Sequence, residues 1–338
     1  MVNIYTTYEA IPKSILLKLE NANVFFSKEY YNYAVSTGRR IVFLSTGDYI
    51  IPYEVCKKYI FSSGKYISEP FCLNDDINTK ENRKTFMNII QEYVISQKIC
   101  DWQESVGAYT LFDVYPDRSK RIGFGNLIIN LEEDEETLFA NMTSKHRNMV
   151  RRAEKDGVVV KFGGIDLLDD YCCLDAQTWK RSGRAPVDRK IYENILIQMP
   201  TSAFVAISYF NEIPQTGMLS YYNEQMMYYM YGASIDRPAI GANNYLHWEI
   251  MKEMKARKVK RYSFVGYRLS EEIDKKLAGI QHFKKGFGGE LFEGYLFKEI
   301  FSQRKRRMFE FLYKLKNRTQ LATDAIDQEI DKWQNINF

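Results

Sequence analysis

The sequence is poor in the residues that build metal centres and disulfide frameworks. Its 338 residues include five cysteines, an odd number without CxxC spacing, and three histidines that lie far apart. The residues concerned are Cys56, Cys72, Cys100, Cys172, Cys173, His146, His247 and His282. These counts argue against a disulfide framework and against a structural zinc site, so we expect no metal.

Long apolar runs are also missing. The most apolar stretch, around residues 204–210, is far shorter than the roughly 18 to 20 residues that a membrane helix needs. The first twenty residues carry neither a basic segment nor an apolar segment of the kind found in secretory signals. We therefore expect a cytoplasmic protein without an integral membrane segment.

The composition is that of a folded protein. Proline is scarce at 8 residues, while hydrophobic residues make up 45% and charged residues 27% of the chain. Nothing resembles disorder or low complexity. A length of 338 residues exceeds what one hydrophobic core usually organises, which predicts two domains.

Positive charge is concentrated towards the carboxy terminus. The formal net charge is only +4, but residues 251–320 hold 19 Lys and Arg against 8 Asp and Glu. Such a segment attracts phosphate-bearing partners such as a nucleic acid, a nucleotide or a membrane surface. A solvated helix face is an equally good interpretation of the run at residues 304–318.

Hydrophobic periodicity and turn residues predict the first-half elements. They are a strand pair at 41–55, a helix at 78–97, strands at 108–115 and 125–130, and one long helix from Asn130 to Gly157. Asn130 is the expected N-cap, acids fill the first turn of this helix, and Gly157 suits its end.

The second half gives a clearer pattern. We predict helices at 166–183 and 188–199, strands at 203–210, 216–222 and 225–234, a helix at 245–260, a strand at 261–267, a helix at 273–287 and a strand at 290–300. Two helices, three antiparallel strands, and then alternating helix and strand form the order of the GNAT acyltransferase fold. Element order alone does not fix a function.

Four segments between residues 126 and 291 resemble the FemABX peptidyltransferases, two-domain GNAT-like enzymes that transfer an amino acid from aminoacyl-tRNA to an amine of a peptidoglycan precursor. The likeness covers roughly residues 125–300. The segments are 126–158 with its arginine-rich helix, 226–234 ending in Tyr-Gly-Ala-Ser, 243–266 with Tyr245, Leu246 and Trp248, and 279–291 with Phe-Lys-Lys-Gly-Phe-Gly-Gly. The resemblance implies an acyltransferase of α/β (α+β) class with two GNAT-like domains and mixed, mainly antiparallel sheets.

Amide formation needs a positive group near the tetrahedral oxyanion that forms when an amine attacks an acyl carbonyl. In the family, the lysine of the Phe-Lys pair is implicated in contacting the acyl carrier and stabilising this intermediate. The resemblance therefore makes Lys284 the predicted catalytic residue. Its neighbours Phe283 and Lys285 are predicted to bind substrate or carrier, and Lys285 is also the residue with which Lys284 could be confused. Without the resemblance, a solvated lysine at a helix end would be the preferred interpretation.

Five further side chains are predicted to bind substrate or carrier. Tyr229 and Tyr231 should share one strand face, and Tyr228 and Met230 the other. One pair is expected to line the groove between the domains and the other to pack into the core. Core packing is the commoner role for any single tyrosine. Arg147, Arg151 and Arg237 could reach phosphates, although arginines on a helix are often only solvated.

The donor and the acceptor stay open at this stage. GNAT enzymes that use acetyl-CoA carry a glycine-rich loop before the helix that cradles the pyrophosphate. Here residues 234–245 contain Arg237, Gly241 and Ala242 at a different spacing. The strand that follows has Ser263 where the family often has aspartate. Ala34 stands near the place where the family has a lysine that contacts the precursor phosphate.

We therefore predict an N-terminal GNAT-like domain at 1–155, a C-terminal one at 156–300, and a helical tail at 301–338 that packs on the first domain. The expected function is amide formation on an amine of a cell-wall or surface-glycan precursor, nucleotide- or lipid-linked, with aminoacyl-tRNA as donor and no tightly bound cofactor. Alternatives are acetyl-CoA-dependent N-acetylation of an amino sugar, or a non-catalytic protein that binds RNA or the precursor. A direct transfer is expected because no Cys/His or Ser/His pairing is evident.

Overall fold

The computed structural model describes residues 1–105, 109–270, 273, 275–317 and 326–327. The strands are β1 Asn3–Tyr5, β2 Arg40–Ser45, β3 Tyr49–Lys58, β4 Phe61–Tyr66, β5 Phe71–Cys72, β6 Trp102–Ser105, β7 Lys120–Asn130, β8 Val159–Gly163, β9 Ala203–Phe210, β10 Ile213–Tyr222, β11 Met227–Ser234, β12 Arg261–Arg268 and β13 Glu290–Ile300. The main helices are α1 Lys13–Leu19, α2 Lys28–Ser36, α3 Lys80–Ser96, α4 Glu135–Asn141, α5 Ser144–Lys155, α6 Leu168–Arg181, α7 Arg189–Gln198, α8 Ala242–Ala256, α9 Lys275–Lys285 and α10 Gln303–Asn317.

One continuous sheet runs through the molecule in the order β1-β2-β3-β4-β6-β13-β7-β12-β11-β10-β9-β8, with β5 paired to β3. The strand pairs within the described residues are antiparallel except for β4 with β6 and β11 with β12. Each half repeats one order of elements. Antiparallel strands are followed by a helix and then by a strand that pairs in parallel with the strand before the helix. The helix is α3 between β4 and β6 in the first half, and α8 between β11 and β12 in the second. This repeated order confirms the predicted class, two GNAT-like units with mixed, mainly antiparallel strands.

The two units share strands and a core. β7 lies between β12 and β13, and β13 in turn pairs with β6, so strands from either side of residue 155 alternate in the sheet. One hydrophobic cluster joins α1 and α2 to α6 and α7 on one face of the sheet. A second cluster packs α4, α5, α8 and α9 against the other face. The units therefore form one packed body, and the predicted division at residue 155 stays a prediction.

The predicted long helix from Asn130 to Gly157 is wrong, because it is two helices. Met142 is extended at φ −66° and ψ 151°, and Thr143 caps α5 by accepting a hydrogen bond from His146 N. Asp134, rather than Asn130, caps α4. The Thr143 N–H also donates to Gly286 O, so a tertiary contact holds the break open.

Two other local predictions also fail. Residues 109–115 form no strand; they make a single bridge between Phe112 and Tyr295, and their apolar pattern reflects burial of Phe112 and Val114 in the core. Strand β8 was not predicted, because its residues alternate between exposed and half-buried and it pairs only with β9.

The start of the carboxy-terminal tail lies against the first unit. Phe309 of α10 places its ring 5.4 Å from that of Phe61 and 5.2 Å from that of Trp102. Lys305 Nζ binds Asp101 Oδ1 at 2.8 Å. Apart from residues 326 and 327, the predicted tail after residue 317 lies outside the described residues.

Candidate functional site

The parallel strands β11 and β12 part soon after they meet. They pair only at Met227 with Tyr262 and at Tyr228 with Ser263. Both strands carry a register shift at this level. Between Tyr228 and Tyr231, β11 advances by three residues while its partner β10 advances by two. Between Ser263 and Gly266, β12 advances by three residues while its partner β7 advances by two. Such bulges bend a strand and end its pairing, so the two strands form a fork.

The bulge in β12 is strained and is held by Lys284. Val265 has φ 47° and Gly266 has φ 22°, and a β-branched residue at positive φ is a rare conformation. Lys284 Nζ donates to the carbonyl oxygens of both residues, at 2.9 Å each. These two bonds fix the ammonium group at the fork.

Lys284 is buried, with 7% of its surface exposed. No carboxylate of the described residues lies within 4.0 Å of its Nζ. Burial lowers the pKa of Lys284 to about 8. The group is therefore mainly an ammonium ion at neutral pH, but one without an acidic counter-ion among the described side chains.

Two sets of contacts fasten the C-terminal half of helix α9, which carries Lys284. The side-chain amide of Gln281 accepts a bond from Arg268 N at 2.9 Å and donates to Arg268 O at 3.2 Å. Two residues further along, His146 Nε2 lies 3.0 Å from Phe283 O. Gly288, at φ 82°, leaves no room for a side chain, because a Cβ there would lie 2.3 Å from Asn141 O. The late glycines of the motif thus allow α9 to dock against α4 and α5.

His247 lies in the aromatic cluster beneath the fork. Its Nδ1 is 2.6 Å from the Tyr262 hydroxyl, and its ring is 4.9 Å from Tyr229 and 5.5 Å from Phe283. Burial, together with the charges of Lys284 and His146, lowers the pKa of His247 to about 3. It is therefore neutral and adds no second positive charge beside Lys284. No sequence motif around His247 indicated that it would lie near Lys284.

The two tyrosines predicted to share a face lie on opposite faces, so that prediction is wrong. Tyr229 packs into the second cluster, and burial raises its pKa to about 12. Tyr231 packs on the first cluster, with its ring 5.5 Å from Tyr192 and 6.4 Å from Tyr221. The bulge in β11 breaks the alternation of side chains between them.

The structure does not gather the remaining predicted residues at the fork. Arg147 donates to Ala140 O at 2.8 Å and to Met142 O, and so caps the end of α4. Phe283 packs in the ring cluster with His146 and Phe287. The other three are exposed: Arg151 lies over the Phe139 ring at 5.1 Å, Lys285 over the Tyr267 ring at 5.1 Å, and Arg237 beside Asp236 at 4.0 Å.

A cluster that the sequence did not reveal joins the two units on the opposite face. Arg39 binds Glu54 at 3.2 Å and stacks over the rings of Tyr33 at 4.7 Å and Tyr30 at 5.8 Å. Both rings also approach Tyr221 of β10, at 6.4 Å. Tyrosine abundance was the only available signal, and it did not single out these positions.

No group of three or more His, Cys, Asp or Glu side chains within the described ranges is arranged to hold a metal ion. A search of the same residues for a helix long and apolar enough to span a bilayer also finds none.

Two GNAT-like units with a forked parallel strand pair define the class of this protein. The FemAB family profile matches residues 108–214 and 206–296, more than half of the chain. The chain belongs to the FemAB family, as the sequence motifs indicated. Comparison with curated proteins gives no match.

Solved structures share the same fold. The crystal structure of FemX is 14% identical, with a TM-score of 0.69 over 90% of this chain and 99% of its own. The structure of L-PGS from Bacillus licheniformis is also 14% identical, with a TM-score of 0.53 over 91% of this chain and 97% of its own. At these identities the likeness shows the fold alone.

Proposed function

We propose that this protein is a FemAB-type aminoacyltransferase that moves an amino acid from aminoacyl-tRNA to an amine of a cell-wall or surface-glycan precursor. Membership of the FemAB family supports the reaction class. The observation that carries the proposal is the buried Lys284 ammonium at the fork, which lacks an acidic partner within the described residues. A charged tRNA donor would place the reaction in the cytoplasm.

The hydrogen bonds of Lys284 suit this chemistry. An ammonium group has three N–H donors, and the carbonyls of Val265 and Gly266 take two of them. The third is available to the acyl oxygen. As the amine forms its bond to the acyl carbon, negative charge develops on that oxygen, and a fixed ammonium stabilises it. The ester bond to the ribose then breaks, and the amine proton passes to the departing ribose oxygen.

The start of α8 supports an aminoacyl-tRNA donor over acetyl-CoA. In GNAT enzymes that use acetyl-CoA, the amides at this helix start receive a pyrophosphate. Here a Cβ on Gly241 would lie 2.1 Å from Met149 O, and Ala242 is fully buried. An anionic pyrophosphate at this helix start would meet a carbonyl oxygen and a packed surface.

The test is Lys284→Met, assayed by mass spectrometry with aminoacyl-tRNA and a panel of amine acceptors. We expect the transfer rate to fall about 100-fold or more, the usual effect of removing an oxyanion donor. Circular dichroism checks that the fold is intact. Near-normal transfer by a folded Lys284→Met protein would remove the proposed role.

Calorimetry with acetyl-CoA tests the donor separately. Micromolar binding would favour the N-acetyltransferase alternative. Steeply salt-dependent RNA binding, without transfer from any donor, would favour a non-catalytic protein instead.

A further inference from the structure

A polar cavity lies on the face of the sheet opposite α9, between the two units. Its volume is about 410 Å³. The loop around Asn23 and the turn around Glu69 form one wall, and the start of β12 with the β7 residues Asn126 and Ile128 forms the other. The proposed transfer reaction uses none of these residues.

Glu69 brings an unpaired negative charge to this cavity. Its carboxylate accepts bonds from Asn23 Nδ2 at 3.1 Å and from the Ser68 hydroxyl at 3.2 Å. No Lys, Arg or His nitrogen of the described residues lies within 4.0 Å of it. Burial raises the pKa of Glu69 above its ordinary value, while the charge of Arg261 acts in the opposite direction. A carboxylate held in this way has remaining capacity for a cation.

Arg261 brings the matching positive charge to the same cavity. The Arg261 side chain is exposed, and its Nε donates a long hydrogen bond of 3.5 Å to Gln225 O. Arg261 is close enough to Glu69 to influence its ionisation but does not form an ion pair with it. The other arginine of the lining, Arg83, is already bound to Asp113 at 2.5 Å.

Aromatic side chains supply apolar walls to the same cavity. Phe71, Tyr228 and Phe292 belong to its lining. Asn126 also lines the cavity, but it is only 3% exposed and its Oδ1 is enclosed by the protein, so it offers no acceptor to a ligand.

We propose that this cavity binds a zwitterionic ligand of the amino-acid class that carries an apolar side chain. Its ammonium group binds Glu69, and its carboxylate binds Arg261. Two opposite charges that line one cavity without pairing are bridged by a molecule that carries both of the complementary charges. The aromatic walls receive the side chain. This site goes beyond the proposed transfer reaction, whose acyl donor has no free carboxylate.

The test is calorimetry of the full chain with L-phenylalanine and two analogues. 3-Phenylpropionate lacks the ammonium group, and phenethylamine lacks the carboxylate. We expect each analogue to bind about tenfold more weakly than phenylalanine or worse, because each loses a charge-assisted bond. Absence of phenylalanine binding, or equal binding of all three, would overturn the proposal.

Two variants assign the charges. Glu69→Gln should abolish the preference for phenylalanine over 3-phenylpropionate, and Arg261→Met should abolish its preference over phenethylamine. Glu212→Gln, at an exposed turn, is the control that should retain both preferences. Unchanged preferences in folded Glu69→Gln and Arg261→Met proteins would contradict the assignment. Because the readout is binding, a failure here is independent of any failure of the Lys284 transfer assay.

Discussion

The two parallel strand pairs occupy equivalent places in the two GNAT-like units, yet one is closed and the other is open. In the first unit, β4 and β6 pair over four residues, from Ser63 with Trp102 to Tyr66 with Ser105. In the second, β11 and β12 pair over two residues and then separate. We call the place where the two parallel strands of a unit lie side by side its junction. The two junctions differ in the side chains that occupy them.

The first junction is filled by the protein itself. The Tyr53 hydroxyl donates to Gln103 Oε1 at 3.0 Å and lies 3.2 Å from Cys100 Sγ. Gly64 allows this approach, because a Cβ there would lie 1.8 Å from Tyr53 Oη. At the second junction, Lys284 caps the two bulge carbonyls and keeps one N–H free of described partners. Equivalent positions have thus become a sealed core in one unit and a candidate reaction site in the other.

Gly64→Ala should disrupt the packing of the closed junction and cause the largest loss of stability among these variants. The added methyl group would overlap the Tyr53 hydroxyl, and Tyr53 is fully buried and unable to move aside. We expect the free energy of unfolding to fall by roughly 3 kcal/mol, at the upper end for an overpacked core. Urea denaturation followed by circular dichroism measures it.

The matched control for this change is Gly279→Ala. A Cβ at Gly279 of α9 meets nothing within 4 Å, and alanine favours a helix over glycine. Its stability should be unchanged or slightly higher. If both alanine variants were equally stable, the closed junction would not be packed as described.

At the open junction, the lowered pKa of Lys284 predicts that the free energy of unfolding depends on pH. Its pKa is about 8 in the folded protein, against an ordinary 10.5, so the unfolded chain binds more protons between these values. Stability contributed by this group therefore rises with pH above 8. Relative to Lys284→Met, the wild-type free energy of unfolding should rise by roughly 2 kcal/mol by pH 9.5.

This difference is measured by urea denaturation of both proteins from pH 7 to 9.5. The upper limit avoids the buried tyrosines, whose raised pKa values act above pH 10. Subtracting the Lys284→Met curve cancels groups common to both proteins. A difference that stays flat with pH would mean that the ammonium is not desolvated.

Much of the second unit could be predicted from its sequence, because its signals are local. Hydrophobic alternation gave β9, β10 and β11. The tight turn between β9 and β10 has Asn211 at φ 49°, and asparagine tolerates left-handed backbone. The identity of Lys284 as a candidate came from family resemblance, since a lone lysine at a helix end carries no such signal.

Features that depend on distant partners could not be predicted. The helix break at Thr143 depends on Gly286, and the opposite facing of Tyr229 and Tyr231 depends on the register with β10. The Arg39 cluster joins residues almost 200 positions apart, such as Tyr33 and Tyr221. Burial of the Lys284 ammonium likewise follows from the bulge in β12, which no local pattern encodes.

Lys285→Met should give the smallest effect and sharpens the contrast with its neighbour. Lys285 is exposed, and its Nζ lies 5.1 Å from the centre of the Tyr267 ring. An exposed cation–π contact contributes about 0.5 to 1 kcal/mol, so the free energy of unfolding should fall by no more than this. The pH dependence of stability above pH 8 should remain that of the wild type. If Lys285→Met removed that dependence, or reduced transfer as strongly as Lys284→Met, then position 285 would carry the desolvated charge, and the assignment of the fork to Lys284 would be wrong.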